Sequence, residues 1–165
     1  MDYQSLLKVL RLSNYMIIDV WSDVVCPWCF IGRRRLQKAI AQQGAGHDIT
    51  VRHRAFQLQP DARDVVRTDE MLASQYKVDK AQVAAMQANV CSIADGEGLC
   101  YDLTETFSGN TADAHRLILW AEEFGRGDDL LEAIYSAYFE KKRSIFSHDD
   151  LIAIAKEIGV DGEQA

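Results

Sequence analysis

Cys26 and Cys29 stand three apart in the stretch "VVCPWCFIGRRRL", residues 24–36, with Pro27 and Trp28 between them. Two thiols at that spacing can form and break a disulfide. With Cys26 at the N-cap of a helix and Cys29 one turn in, their Cβ atoms lie roughly 5–6 Å apart. A disulfide needs roughly 3.5–4.5 Å, so a small first-turn adjustment closes the gap. The helix end also activates the first thiol. Unpaired N–H groups and the macrodipole place partial positive charge on the first turn and favour a thiolate there. Cys26 is therefore expected to titrate below about 8.5, the ordinary thiol value. Asp19 and Asp23 would oppose that shift if they lie close. Cys29 faces back into the helix–sheet junction and is expected to be shielded and less acidic. Cys26 then attacks a substrate disulfide and Cys29 resolves the mixed disulfide. Pro27 and Trp28 tune the pair by rigidity and by covering the sulfurs.

The elements needed to hold this pair are legible around it. "MIIDVW", Met16 to Trp21, is short and β-rich and reads as a buried strand. Pro27 suits the first helical position, where its missing N–H would be unpaired anyway. Phe30, Ile31, Leu36 and Ile40 give the following helix an apolar stripe, and Gly44 to Gly46 end it. Residues 48–58, "DITVRHRAFQL", alternate, with Ile49, Val51, His53 and Ala55 on one side and Arg52 and Arg54 on the other. Strand, helix and strand form a right-handed parallel βαβ unit over residues 15–60. Residues 61–165 read as a helical domain. Thr68, Asp79 with Gln82, Asn110, Asp128 and Ser147 with Asp150 mark its helix starts. Residues 1–14 form an N-terminal extension, whose Leu6–Leu12 segment fits either a helix or a strand.

Other chemistry-bearing residues are weaker candidates. Cys91 and Cys100 read as buried free thiols, with a second thiol pair across the Gly-rich turn as the alternative. His115 reads as a hydrogen-bonded helix histidine that could instead line an active-site cleft. A zinc site would want four ligands, commonly in two close pairs. The cysteine and histidine spacing does not supply them, so no metal is expected.

Composition narrows the partners. The 165 residues are 48% hydrophobic and 26% charged, with a formal net charge of −7. An acidic chain repels phosphate backbones, so nucleic acid is not an expected partner. The basic cluster Arg33–Arg35 reads as a solvated helix face. No segment reaches the roughly 18–20 apolar residues of a membrane span. The N-terminus lacks the pattern of a signal peptide, so a cytoplasmic location is expected. In a reducing compartment four cysteines are not structural staples.

"IIDVWSDVVCPWCFIGRRRL", "FQLQP", "GLCYDL", "NTADAHRLILWA" and "AYFEKKRSIFSHDDLIAIAKEIGV" together resemble, in order, the DsbA-like, FrnE-type thioredoxin-fold oxidoreductases. The resemblance covers most of residues 16–160. It implies an α/β fold: a thioredoxin-like βαβ unit with a large all-helical insertion. It also implies thiol–disulfide exchange without a bound cofactor, on a disulfide-containing protein or a small thiol. Family members continue past "EIGV" with a ββα module that carries a cis proline, and this sequence lacks that module. The first strand is then open on one side, so a homodimer is expected. A non-catalytic remnant acting through self-association is the alternative. Kappa-class glutathione transferases and hydroxychromene carboxylate isomerases share the architecture but typically have Ser in place of Cys26, so CPWC argues against them.

Overall fold

A computed structural model describes residues 14–43 and 47–160. The Leu6–Leu12 segment and the Gly44–Gly46 helix end lie outside the described residues. Strand β1 (Asn14–Ser22) runs into helix α1 (Pro27–Gln42), and strand β2 (His47–Ala55) returns beside β1. The two strands pair in parallel from Asn14↔His47 to Ser22↔Ala55. That is the expected βαβ unit, with both strands longer at their N-terminal ends than the sequence pattern suggested. Its two faces divide as the alternation requires. Asp19 accepts from Arg52 Nε at 2.9 Å and Arg54 Nε at 2.8 Å on one face. Val20, Ser22, Val51 and His53 share the other and line one cavity.

The rest of the chain holds helices α2 (Thr68–Tyr76), α3 (Lys80–Gly96), α4 (Ala112–Glu122), α5 (Gly127–Phe139) and α6 (His148–Glu157). It is not wholly helical. Strands β3 (Val66–Arg67) and β4 (Phe107–Ser108) form a two-stranded antiparallel ribbon. Each is two residues long, too short for any period to announce it.

The helix starts follow local hydrogen bonding. At Asp79 the side chain accepts from Gln82 N–H at 2.8 Å while Gln82 Oε1 accepts from Asp79 N–H at 3.1 Å, a complete capping box. Ser147 Oγ accepts from Asp150 N–H at 3.1 Å. Three expected starts move by one position. Arg67, not Thr68, is the N-cap of α2, because the Thr68 hydroxyl is taken by Ser108 Oγ across the ribbon at 3.0 Å. Asn110 precedes the N-cap residue Thr111 but its Oδ1 still takes the Ala112 N–H at 2.8 Å. Helix α5 begins at Gly127, one residue before Asp128.

One hydrophobic core joins the two parts. Phe30 and Ile31 of α1 and Val24 before it are buried among Leu99, Ile118, Leu130, Ile134 and Tyr135 of the helical part. Leu36 and Ile40, further along the stripe, are only half-buried. The basic cluster is not a free solvated face. Arg33 donates to Asp128 at 2.7 Å and Glu132 at 3.0 Å, Arg34 also pairs with Glu132, and Arg35 donates to Glu97 at 2.7 Å. These pairs fasten α1 to α5 and to the end of α3.

Candidate active site

The chain leaves β1 at Ser22 and reaches Cys26 through a turn closed by Cys26 N–H donating to Asp23 O at 3.1 Å. Cys26 is the N-cap of α1, with extended backbone at φ −89° and ψ 110°, and Pro27 follows. The first turn is then set by Cys29 N–H donating to Cys26 O at 3.0 Å. The turn is held from outside as well. Tyr101 Oη donates to Pro27 O at 2.8 Å. Phe30 stacks on Tyr135 with ring centroids 4.8 Å apart and 10° between planes. So the motif sits at a strand–helix junction whose position is fixed by aromatic packing from the helical part.

All four cysteines are free thiols, and Cys26 and Cys29 are both half-buried. The hydrogen bond from the Cys29 thiol, aided by the N–H groups of Cys29 and Trp28, lowers the Cys26 pKa to about 7 against the opposing cost of burial. Asp23 acts against the shift, less strongly than any of these. Asp19 is held by Arg52 and Arg54 on the other face of the strands. Cys29 moves the opposite way. Its hydrogen bond to Cys26, burial and the Cys26 charge all push its thiol up. The two sulfurs are thus electrically distinct, one ready to ionise and one holding its proton.

They also open onto different spaces. Cys26 lines a groove of about 400 Å³ with an apolar wall that includes Leu72, Met86, Val90 and Phe139. Cys29 lines a cavity of about 300 Å³ with Ser22, His53 and Tyr135. Trp28 borders both and is 49% exposed, so it separates the sulfurs' two surroundings rather than sealing them.

The remaining sequence candidates fall elsewhere. Cys91, on α3, is half-buried against the core, and Cys100 is exposed, with its N–H donating to Glu140 at 3.1 Å. Cys100 therefore departs from the expected buried thiol: it lies in the loop after the Gly98 turn, where no helix covers it. Neither cysteine is among the described residues that line the two cavities. His115 lines neither cavity; it is 3% exposed, hydrogen-bonded to Phe56 O and His53, and 3.4 Å from Asp23 Oδ1. Sequence reasoning missed Tyr101, Tyr135 and His53 as neighbours of the thiols. The inward position of His53 on an alternating strand was the one available signal. The tyrosines lie 72 and more residues from the motif and carry no local mark.

Residues 17–165 match the DSBA-like thioredoxin domain family. The chain is similar to the probable DsbA oxidoreductase SCO1869 of Streptomyces coelicolor, with a TM-score of 0.83 and 35% identity, over 90% of this chain and 64% of that one. It shares its fold with a provisionally named protein disulfide isomerase from Nitrosomonas europaea, at a TM-score of 0.62 and 16% identity, over 90% of this chain and 67% of that one. It is 26% identical over 146 residues to the uncharacterized protein YwbO of Bacillus subtilis (strain 168), covering 88% of this chain and 67% of that protein. The chain therefore spans about two thirds of the length of these relatives.

Proposed function

The chain belongs to the DsbA-like thioredoxin-domain family, and on that premise we propose that it is a thiol–disulfide oxidoreductase working through Cys26 and Cys29. The observation that carries the reading is the opposed pair of shifts at the first turn of α1: Cys26 lowered to about 7 and Cys29 raised. A nucleophile near its pKa at neutral pH, beside a thiol that stays protonated until needed, is the division of labour that exchange requires.

In the reducing direction the Cys26 thiolate attacks one sulfur of a substrate disulfide. A Cys26–substrate disulfide forms, and the other substrate sulfur leaves as a thiolate that takes a proton from water. Cys29 then gives up its proton and attacks Cys26 Sγ. The second substrate thiolate leaves and is protonated. The substrate has gained two electrons and the protein holds a Cys26–Cys29 disulfide. The same steps in reverse oxidise a substrate dithiol. The groove on the Cys26 side is where a disulfide-containing protein or small thiol would approach. Reduction of insulin disulfides by dithiothreitol tests the reading. The chain should accelerate precipitation of the insulin B chain and its Cys26→Ser variant should not; equal rates for the two would reject the proposal.

A further inference from the structure

Three side chains connect the Cys29 cavity to the buried carboxylate of Asp23. Ser22 Oγ lies 3.0 Å from His53 Nδ1, and His53 Nε2 lies 3.3 Å from His115 Nδ1. His115 Nε2 lies 3.0 Å from Phe56 O and 3.4 Å from Asp23 Oδ1. Asp23 is 1% exposed, and its other oxygen accepts from Leu58 N–H at 2.7 Å. Oδ1 makes no hydrogen bond among the described residues, and the Thr111 hydroxyl also interacts with this carboxylate.

One carbonyl sets the direction of this chain. Phe56 O can only accept, so His115 Nε2 carries a hydrogen. In neutral His115, Nδ1 is then an acceptor and takes the hydrogen of His53 Nε2. His53 Nδ1 accepts in turn, and Ser22 donates to it. Ser22 and Cys29 line the same cavity of about 300 Å³, a largely apolar space whose polar side chains include Ser22, His53, Arg33 and Asp128, and its volume admits water. All the donors therefore point from the cavity toward Asp23, which is the arrangement that carries a proton inward.

We propose that Ser22, His53, His115 and Asp23 form a proton relay for Cys29, taking its proton when it resolves a mixed disulfide and returning it in the reverse direction. The inference rests on the exchange reaction proposed above. Cys29 is the group in need: as a protonated, half-buried thiol it is no nucleophile. Its proton passes through cavity water to Ser22 Oγ, which hands its own to His53 Nδ1. His53 passes the Nε2 hydrogen to His115 Nδ1. Imidazolium His115 then stands beside the Asp23 carboxylate, Cys29 is a thiolate, and the net charge is unchanged. Cys29 attacks Cys26 Sγ, and the departing substrate thiolate takes a proton from solvent. The charged and titratable groups facing the histidine pair are Asp23 at the end of β1, Arg33 on α1 and Asp128 on α5, the last two paired with each other. Tyr135 borders the cavity and burial raises its pKa, so it stays protonated.

The test separates the two chemical steps in single turnover. The reduced protein is mixed with 2-hydroxyethyl disulfide, and the first and second mercaptoethanol released are timed between pH 6 and pH 8. Loss of a general base typically costs 10²-fold or more, and direct transfer to water recovers part of it, so a fall of about tenfold is expected in the second step. His115→Gln and Ser22→Ala should each show that fall while the first step stays within about twofold of the unaltered protein. Their second step should also become steeper with pH, as hydroxide replaces the relay. Two results overturn the relay: a second step of unchanged rate and pH slope in both variants, or equal slowing of both steps, which would mark a structural role. If the unaltered protein releases no mercaptoethanol at all, the exchange reaction itself fails.

Discussion

Replacing Cys29 with Ala should make Cys26 a weaker acid. The hydrogen bond from the Cys29 thiol is the largest influence holding the Cys26 pKa near 7 instead of 9.0. With a pKa of about 7, about half of Cys26 is thiolate at pH 7; at 9.0 the fraction is about 1%. That is about a fifty-fold difference in reactive population. Nucleophilicity falls with basicity at a Brønsted slope of about 0.4–0.5, so the more acidic thiolate is about tenfold less reactive per molecule. The net advantage at pH 7 is about fivefold. Iodoacetamide alkylation followed by mass spectrometry of the Cys26 peptide from pH 5 to 10 measures both quantities. The unaltered chain should give a midpoint near 7, and Cys29→Ala should move it up toward 9.0 with about a fivefold loss of rate at pH 7. An identical midpoint in the two proteins would refute the assigned cause. A midpoint above about 8.5 in the unaltered chain would refute the activation itself.

Three further outcomes follow from the same structure. Phe30 is fully buried between Tyr101, Tyr135 and Phe139, so Phe30→Ala should cost about 3–5 kcal/mol in urea unfolding; a loss under about 1 kcal/mol would contradict its place in the core. Burial and the neighbouring His115 lower the His53 pKa to about 4. The unfolded chain therefore binds a proton at this imidazole below about 6.5 that the folded chain refuses until about 4, so this contribution is present above that window and lost as pH falls through it. The melting temperature should decline between pH 6.5 and 4, and His53→Gln should flatten the decline; an equal slope in the variant would contradict it. Strand β1 pairs only with β2 among the described residues and leaves Tyr15, Met16, Ile17 and Trp21 exposed. We propose that a second copy covers this edge, and light scattering should find a dimer; a compact monomer would reject it.

The sequence displayed the motif and its immediate scaffold because these rest on local rules. Pro27 at the first helical position, the alternation through Val51 and His53, and the Asp79–Gln82 pair each act within a few residues. The rest depends on contacts between distant segments. Arg33 and Arg34 read as solvated cations until α5 brings Asp128 and Glu132 against them. The Thr68 hydroxyl serves the β3–β4 ribbon instead of capping its helix, since a tertiary partner competes with the backbone for it. His53 and His115 are 62 residues apart, and only the docking of α4 beneath the βαβ unit makes them neighbours. Tyr101 and Tyr135 have no sequence signal for their contacts with Pro27 O and Phe30.

Mixing the reduced chain with excess 2-hydroxyethyl disulfide and mapping the product by peptide mass spectrometry tests the central claim most directly. The product should be a protein two hydrogens lighter, with a disulfide joining Cys26 to Cys29, and the Cys26→Ser variant should form no such bond. A product that stops at mixed disulfides on Cys91 or Cys100, with Cys26 and Cys29 still reduced, would contradict it.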